Sequence, residues 1–459
     1  MRKIRLLAFG IAAAVFVATA VAASASTSPV DQARDALRQR VLQALANVEG
    51  AGSTPAAGRQ TRELGNLALE QTTADVWAHG DYAYVGSWAA PCGLGVRIID
   101  VSDPANPALV ATAAAYDGTS AEDVEVMSVD TPSFTGDLMG VGLQDCGGGL
   151  AGLDLWDVTD PTNPQQLGFY PNFGVHELSL TARSDGVFAL LASPFSEPFT
   201  FFFAPSTIGD FQLVDVSDPA NPVLTDDWGA LKDGGFPAGA PGIPAPYDCA
   251  DPLCRGSDPA IFAHSASPSG DGMTAYIAYW DLGGVVLDIS DEANVQYVGR
   301  TVYPAASEGD THSAVENAGG SLLATTDEDF SPAFGAAGKV PGDTWGFARL
   351  WSLANPAGPA HLSDVTTPHS LTNKTNGFYS AHNPVFKGDQ LYVSWYSDGL
   401  RIFDVSAPTR PREVAFYRPQ PSRGVLAPHP IPLVWGVTTG GDRIYLSDMF
   451  FGLYVVAQK

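Results

Sequence analysis

The sequence predicts an all-β fold, a β-propeller of seven blades, and three observations support this prediction. One pattern recurs along the chain: an apolar strand that ends in a polar residue, a tight turn, and a second strand. Two further short strands joined by a glycine-containing turn precede the copies. Glycine (48) and proline (35) are abundant, while charged residues make up only 16%, a composition typical of many short strands joined by tight turns.

The recurring pattern has six copies, and it is clearest in VRIIDVSDPANP, LDLWDVTDPTNP and FQLVDVSDPANP. The copies start at Val96, Leu153, Phe211, Val285, Ala348 and Leu400. In these turns an Asp or Ser side chain bonds the backbone, and proline, where present, sets φ and stops the strand. Each unit therefore has four strands, which we name A to D.

Four antiparallel strands repeated around a circle form a propeller. The A–B strand pairs give seven units, which begin near residues 74, 122, 176, 264, 312, 382 and 435. An open array of β-sandwiches, or a ring of six or eight blades, is the alternative.

The seventh unit stops at Val456 without a strand D. Residues 62–65 (RELG) resemble the strand D segment 412–415 (REVA). We therefore expect the N-terminal segment to supply the missing strand and close the ring, which would remove open sheet edges. The propeller domain is predicted over residues 59–459, after a segment over 26–58 that contains an amphipathic helix (29–48) and a linker.

The first residues have the layout of a secretory signal peptide. A basic start (MRKIR) precedes an apolar run over residues 6–20, and Ala23-Ser24-Ala25 offers a cleavage site before Ser26. An uncleaved anchor is the alternative, because the run approaches the ~20 residues of a spanning helix. We expect a signal peptide over 1–25, a mature chain without a membrane span, and a secreted or cell-surface, extracytoplasmic location.

The net charge and the cysteines indicate which partners and which disulfides are expected. The net charge of −26 repels nucleic acid and anionic lipid, so neither is expected as a partner. Four cysteines in an exported chain indicate a few disulfides. Cys249 and Cys254 lie close in sequence, and the repeat alignment places Cys92 and Cys146 in equivalent B–C loops of adjacent blades. We expect these two pairs to form disulfides.

The motif D-V-S-D-P-x-N-P after an apolar strand resembles the LVIVD-repeat propellers of bacteria. The later blades resemble, more specifically, the choice-of-anchor B family. That likeness rests on THS (311–313) with TTDE (325–328), HNP (382–384) with YSDGLR (396–401), and WGV (435–437) with SD (447–448). The resemblance spans about residues 60 to 457 but weakens in blade 3, and Ser352 replaces the usual strand C Asp of blade 5. It implies a secreted or surface propeller without a defined activity.

Aligning the starts of strand A places several histidines at one repeat position. The equivalent residues are Ala74, Glu122, His176, His264, His312, His382 and Trp435. Rotational symmetry would bring them to one height around the central channel. Glu122 and the four histidines are therefore a candidate site for a divalent transition metal such as Zn²⁺, Cu²⁺ or Fe²⁺.

Two other interpretations of these residues stay open. The histidines could be repeat positions that bond neighbouring backbones and stiffen the inner strands. The run Thr326-Asp327-Glu328-Asp329 offers oxygen ligands for Ca²⁺, although it lacks the full spacing of a twelve-residue calcium loop.

The B–C and D–A loops emerge at the same end of the channel, where loops on a rigid scaffold commonly carry function. The long insertions over 194–209, 229–262, 328–346 and 418–433 all belong to that end. Its predicted channel-rim residues are Asp281, Asp327, Asp398, Trp435 and Asp448.

Two classes of function fit this sequence. One is a binding or scaffold protein that grips an extracellular protein, peptide, glycan or small molecule at the loop end. The other is a metal-dependent hydrolase or oxidase, in which Glu122 or a loop Asp would be a ligand or general base. A purely structural envelope protein is a third interpretation, and the sequence does not decide whether the chain is an enzyme.

Overall fold

A computed structural model describes residues 57–69, 71–88, 91–194, 196, 208–236, 261–303, 309–330, 332, 344–420 and 431–459. Over these residues the chain contains β-strands and one short 3₁₀ helix, arranged as seven sheets. The predicted all-β fold of seven blades is confirmed. The predicted signal peptide, the helix over 29–48, Cys249 and Cys254 lie outside the described residues.

We number the strands in chain order. Two strands precede the first blade: β1 (Ala57–Arg59) and β2 (Thr61–Leu67). Blade 1 contains β3 (Val76–His79), β4 (Tyr82–Val85), β5 (Val96–Asp100) and β6 (Ala108–Ala113). Blade 2 contains β7 (Thr119–Asp130), β8 (Thr135–Asp145), β9 (Gly152–Asp157) and β10 (Gln165–Pro171). Blade 3 contains β11 (Glu177–Arg183), β12 (Gly186–Ala192), β13 (Phe211–Asp215) and β14 (Val223–Trp228).

The second half of the ring follows the same plan. Blade 4 contains β15 (Ala263–Pro268), β16 (Thr274–Tyr279), the 3₁₀ helix (Trp280–Leu282), β17 (Gly283–Asp288) and β18 (Gln296–Arg300). Blade 5 contains β19 (Thr311–Glu316), β20 (Leu322–Asp327), β21 (Ala348–Ser352) and β22 (Ala360–Val365). Blade 6 contains β23 (Pro384–Lys387), β24 (Gln390–Trp395), β25 (Gly399–Asp404) and β26 (Arg412–Arg418). Blade 7 contains β27 (Val434–Gly440), β28 (Arg443–Asp448) and β29 (Gly452–Gln458).

The outer strand of blade 7 comes from the other end of the chain. Strand β2 pairs antiparallel with β29, from Thr61 opposite Gln458 to Leu67 opposite Leu453. Its neighbour β1 pairs instead with β26 and adds a fifth strand to blade 6. The segment before blade 1 therefore contacts the two last blades.

The core lies between adjacent blades. Leu190 and Leu213 of blade 3, for example, belong to one buried cluster with Ile277 and Val285 of blade 4. Because each sheet contributes apolar side chains to the interface with its neighbour, burial of these side chains drives the packing of the ring.

The two ends of the ring differ in the length of their connections. The A–B and C–D turns are short, whereas the chain between β14 and β15 runs from Trp228 to Ala263, and that between β20 and β21 from Asp327 to Ala348. We call the end that carries the B–C and D–A connections the loop end. Among the described residues there is no helix with the length and apolarity needed to cross a bilayer.

Candidate functional site

The residues in register at the start of strand A are presented by β-bulges. The pairing of β15 with β16 shifts between Ala263 and Ser265, which leaves His264 as the extra residue. The pairing of β19 with β20 shifts in the same way around His312, and a shift in β7 accommodates Glu122. Since a bulge redirects the side chain of its extra residue, these departures from regular pairing turn the side chains toward the propeller axis.

Six aromatic rings form a closed circle around the axis. Successive ring centroids are 6.3 Å (Trp88–His176), 4.2 Å (His176–His264), 4.0 Å (His264–His312), 3.9 Å (His312–His382), 4.5 Å (His382–Trp435) and 5.5 Å (Trp435–Trp88) apart. All four histidines have 0% exposure. The predicted equivalence of these positions therefore brings the rings together in a water-excluded cluster, which we call the axial cluster.

On one side of the axial cluster a continuous chain of hydrogen bonds fixes the tautomers. Trp88 Nε1 donates to Gln144 Oε1 (2.9 Å), and Gln144 Nε2 lies 3.0 Å from His176 Nδ1. His176 Nε2 lies 2.7 Å from His264 Nε2, and His264 Nδ1 lies 3.1 Å from the His312 carbonyl oxygen. An indole only donates and a carbonyl only accepts, so each link must run in the same direction. His176 therefore carries its proton on Nε2 and His264 on Nδ1.

Glu122 lies against the same histidine, with its Oε2 in contact with His176 Nδ1. Burial, reinforced by the charge of Asp123, raises the pKa of the Glu122 carboxyl well above its usual value. Burial lowers the pKa of His176 to about 3. Gln144 already donates to the lone pair on His176 Nδ1, so the Glu122 carboxyl lies against this nitrogen without a hydrogen bond among the described residues.

On the opposite side, a second chain of hydrogen bonds fixes His312. The Asn383 amide donates to both oxygens of Asp75 (2.7 and 2.9 Å), so its own oxygen faces Ser313 Oγ, which donates to it at 3.0 Å. Ser313 Oγ lies 2.7 Å from His312 Nδ1. Because the hydroxyl proton is already given to Asn383, His312 Nδ1 must be the donor, and the lone pair of His312 lies on Nε2.

Two buried glutamates face that lone pair. His312 Nε2 lies 3.8 Å from Glu177 Oε1 and 4.0 Å from Glu328 Oε2. His382 Nε2 lies 3.7 Å from Glu328 Oε1. Neither His312 Nε2, Glu177 Oε1 nor Glu328 Oε2 has a hydrogen-bond partner among the described residues. Such a convergence of buried, unsatisfied ligand atoms is costly in a protein interior unless something joins them.

The electrostatics of this side reflect several buried acidic groups that lie close together. Burial raises the pKa of Glu177 well above its usual value, and Asp75, Asp123, Glu122 and Glu328 raise it further. Burial also raises the pKa of Glu328, against the opposing effect of a hydrogen bond from Tyr396. Burial and the neighbouring histidines lower the pKa of His312. This side of the axial cluster therefore contains several acidic groups in a buried environment, which disfavours their charged form.

The five predicted ligands thus fall into two sets. His176 and His264 use both ring nitrogens in the first hydrogen-bond chain, and Glu122 lies against His176. His312 Nε2 instead faces carboxyl oxygens of Glu177 and Glu328 that have no hydrogen bond among the described residues. His382 Nε2 lies beside Glu328 Oε1, which accepts from Tyr396. Two groups have ligand atoms close enough together to hold a metal ion, Glu177–His264–His312 and His312–Glu328–His382. In the first group, His264 Nδ1 already donates to the His312 carbonyl oxygen. The lone pairs available to a metal ion are therefore those of Glu177, His312, Glu328 and His382.

The predicted rim residues lie elsewhere, apart from Trp435, which is part of the axial cluster. Asp327 forms an ion pair with Arg349 and accepts from Tyr303 (2.7 Å). Asp448 accepts from the backbone N–H groups of Leu433 (2.7 Å) and its own turn. These carboxylates are buried and hold strands and turns of the loop end in place.

Two further rim aspartates are also fully buried. Asp281 lies in the 3₁₀ helix of blade 4. Asp398 accepts from His369 Nδ1 and Thr367 Oγ1 (both 2.6 Å) and pairs with Arg401 at 3.0 Å.

Sequence reasoning missed several members of the site, above all Glu177. A signal for it exists, because the residue after the registered position is polar in six blades: Asp75, Asp123, Glu177, Ser265, Ser313 and Asn383. In a regular strand this next residue would face away from the axis, whereas Glu177 reaches His312 from the first position of β11, directly after His176. Trp88 and Gln144 carry no comparable repeat signal.

The predicted disulfide between Cys92 and Cys146 is confirmed. It joins the B–C connections of blades 1 and 2, with the two Cα atoms 6.0 Å apart. The disulfide links two adjacent blades covalently at the loop end. It lies on the side of the ring where Trp88 and Gln144 begin the first hydrogen-bond chain.

The fold and the site together define a seven-bladed β-propeller with a buried axial cluster of histidines and carboxyl groups. Four segments, residues 71–114, 207–227, 271–301 and 380–418, match the family described as LVIVD repeat. The predicted LVIVD repeats are therefore confirmed. No curated protein matches the chain. A solved structure that is similar is the computationally designed Ika8 protein, with 10% sequence identity and a TM-score of 0.45, covering 87% of this chain and 100% of that chain.

Proposed function

We propose that this chain is an exported propeller that acts as a binding or scaffold protein through its loop end. The observation that carries the proposal is the position of exposed apolar side chains. Four large ones lie in B–C or D–A connections: Leu150 (40% exposed), Phe173 (58%), Val302 (50%) and Leu371 (55%). A contiguous exposed apolar patch is typical of a surface that contacts a partner, whereas single exposed apolar side chains are common on protein surfaces.

Two of these residues lie in connections that are hydrogen-bonded to each other. Asn172 N donates to Ala151 O at 3.2 Å, which ties together the two connections that carry Phe173 and Leu150. An exposed aromatic beside an aliphatic residue on a rigid blade is a suitable anchor for a partner.

The burial of the axial cluster supports binding rather than catalysis in the channel. A metal-dependent hydrolase or oxidase needs a substrate beside its reacting groups. All four axial histidines, Glu122 and Glu328 are at most 1% exposed, so a substrate would have no contact with them. The hydrolase or oxidase therefore remains the second candidate.

The charge of the chain and its resemblances guide the choice of partner and location. A net charge of −26 disfavours nucleic acid and anionic lipid, and an extracellular protein, peptide, glycan or small molecule is the proposed partner. The likeness of the later blades to the choice-of-anchor B family, together with the signal-like N-terminus, supports a secreted or cell-surface location.

The binding proposal is tested by photo-crosslinking on cells that export the full chain. A photoreactive amino acid replaces Phe173 or Leu371 at the loop end, and, as matched controls, Leu109 or Val223 on outer strands, which are 51% and 58% exposed. We expect adducts of defined mass from the loop-end positions alone. Equal labelling from all four positions, or none from any, would contradict a loop-end binding surface.

Histidine acylation with diethyl pyrocarbonate separates binding from channel catalysis. We expect rapid modification of His361 and His369, whose side chains are 37% and 39% exposed, and protection of the four axial histidines until the protein unfolds. Reaction of His312 at the rate of His369 would show an open channel and favour the enzyme.

Export is tested by fractionation and by sequencing the N-terminus of the exported protein. We expect a chain that starts at Ser26 and is absent from the membrane fraction. A membrane-bound chain that still starts at Met1 would contradict cleavage.

A further inference from the structure

We propose that His312 Nε2, Glu177 Oε1, Glu328 Oε2 and His382 Nε2 bind one divalent first-row transition-metal ion on the propeller axis. This site is independent of the binding surface proposed above, because it lies inside the ring. It also differs from the set that the register of strand A indicates, because it includes two glutamates outside that register and excludes Glu122, His176 and His264.

The central ligand is His312. His312 Nδ1–H donates to the Ser313 hydroxyl, and that hydroxyl donates to the Asn383 side-chain oxygen. The Asn383 amide in turn donates to Asp75. Metal-ligating histidines characteristically donate their second ring N–H to such a partner, which fixes the tautomer and the ring orientation. The lone pair of His312 Nε2 is thereby aimed at the two glutamates, in a fully buried position.

The glutamates are oriented by their surroundings as well. Tyr396 donates to Glu328 Oε1, which leaves Oε2 free to face His312. Glu177 follows the registered His176 at the start of β11, where it is 8% exposed. Each carboxylate therefore offers one oxygen to the axis from a different blade.

The separations suit an ion after a small adjustment. Ligand atoms bound tetrahedrally at about 2.0–2.2 Å lie about 3.3–3.6 Å from one another. Here the separations from His312 Nε2 are 3.8 Å to Glu177 Oε1 and 4.0 Å to Glu328 Oε2. His382 Nε2 is 3.7 Å from the other oxygen of that carboxyl, Oε1, and His312, Glu328 and His382 offer ligand atoms that all lie within 4.8 Å of one another. Inward movements of these side chains would complete the shell.

The ligand types and the local charge select the ion. Two imidazoles with two carboxylates suit Zn²⁺ or another first-row divalent ion, whereas Ca²⁺ and Mg²⁺ prefer oxygen ligands alone. Glu177 and Glu328 have further acids nearby in Asp75, Asp123 and Glu122. A doubly charged cation would offset the repulsion that these buried carboxyl groups exert on one another.

The test is the zinc content of the full exported chain, purified without a histidine tag after unfolding and refolding with Zn²⁺. Unfolding is included because the buried site has no contact with solvent. We expect near one zinc ion per chain by mass spectrometry after extensive dialysis. Wild-type protein that refolds without retaining zinc would overturn the proposal.

Two matched variants identify the ligands. Glu328→Gln and Glu122→Gln make the same substitution at two buried axial glutamates, one inside and one outside the proposed set. We expect Glu328→Gln to lower zinc retention at least about tenfold and Glu122→Gln to retain it. Full zinc in Glu328→Gln, or equal loss in both, would overturn the assignment. Circular dichroism of each variant establishes that the propeller is folded.

Should Glu328→Gln fail to fold, His312→Ala and Glu177→Gln provide the same comparison. Co²⁺ is a second probe, since tetrahedral coordination by these ligands gives visible absorption bands. We expect these bands in wild type and Glu122→Gln, and their loss in His312→Ala. Unchanged bands in His312→Ala would contradict the site.

Discussion

The two sides of the axial cluster contain the same residue type at the same repeat position, yet they use its nitrogens differently. His176 and His264 have both ring nitrogens engaged in one directed chain from Trp88 to the His312 carbonyl. His312 has only Nδ1 engaged, and its Nε2 faces Glu177 and Glu328 without a hydrogen bond. Whether the second ring nitrogen is hydrogen-bonded therefore distinguishes a structural histidine from the proposed metal ligand. The repeat position is the same for both and does not distinguish them.

The largest effect that we expect concerns the metal-free protein. His264→Leu leaves two buried groups unpaired, the His176 N–H and the His312 carbonyl, and should lower the free energy of unfolding by about 3–5 kcal/mol. His312→Leu breaks one hydrogen bond and removes an unsatisfied nitrogen, and should cost about 1 kcal/mol. Urea unfolding at pH 7.5 in the presence of a chelator measures both.

Equal decreases in the free energy of unfolding of these two variants would show that the two sides of the axial cluster contribute equally to stability. The difference proposed between the two sides would then be wrong. His264→Leu does not remove a proposed metal ligand, because His312 Nε2 stays in place. We therefore expect the His264→Leu variant to retain zinc after refolding, which makes it a further control.

A buried carboxylate with cationic neighbours provides a contrast to Glu177 and Glu328. Burial alone would raise the pKa of Asp398, but the hydrogen bond from His369, the charge of Arg401 and the hydrogen bond from Thr367 outweigh it and lower the pKa. Asp398→Asn should therefore cost about 2–3 kcal/mol at pH 7, because hydrogen bonds to a charged group are lost.

The pH dependence of this cost has a definite sign. A folded-state pKa below the unfolded value stabilises the protein above the unfolded pKa of about 3.9, and this stabilisation disappears as the pH falls through the folded pKa. The difference between wild type and Asp398→Asn should therefore shrink between pH 7 and pH 3 in urea unfolding. A difference that grows toward acid would contradict the lowered pKa.

The smallest effect should come from Glu122→Gln. Gln144 is the donor to His176 Nδ1, and neither oxygen of Glu122 has a hydrogen bond among the described residues. The substitution therefore breaks no hydrogen bond and should change the free energy of unfolding by less than about 1 kcal/mol at pH 7.5. A loss of 2 kcal/mol or more would indicate a hydrogen bond or ion pair between Glu122 and His176. The assignment of the His176 Nδ1 lone pair to Gln144 would then be wrong.

Much of the architecture was predictable because its signals are local. Six strand–turn copies mark blades 1 to 6, and the A–B strand pairs give the count of seven. The register of strand A predicted that four histidines, Glu122 and Trp435 would lie on one axis, because equivalent positions in a closed ring share one height. The alignment of B–C loops likewise predicted the Cys92–Cys146 disulfide.

The composition of the candidate site was not predictable in the same way. Glu177 reaches the axis beside His176 at the irregular start of strand A, where regular alternation would turn one of the two away. Asp327 and Asp398 were predicted as rim residues but are paired with Arg349 and Arg401. These arginines occupy the second position of their copies of the repeat, as Arg97 does in the copy of blade 1, but the repeat does not show which group each arginine pairs with.

The sequence by itself thus determined the repeat, the seven blades, the common position of the histidines and one disulfide, since each follows from short-range patterns repeated around a ring. Tertiary structure alone decided which nitrogen of each histidine is free and which carboxylates face it. Those choices depend on hydrogen-bond chains that cross from blade to blade, such as Asp75–Asn383–Ser313–His312, between residues that are far apart in the chain.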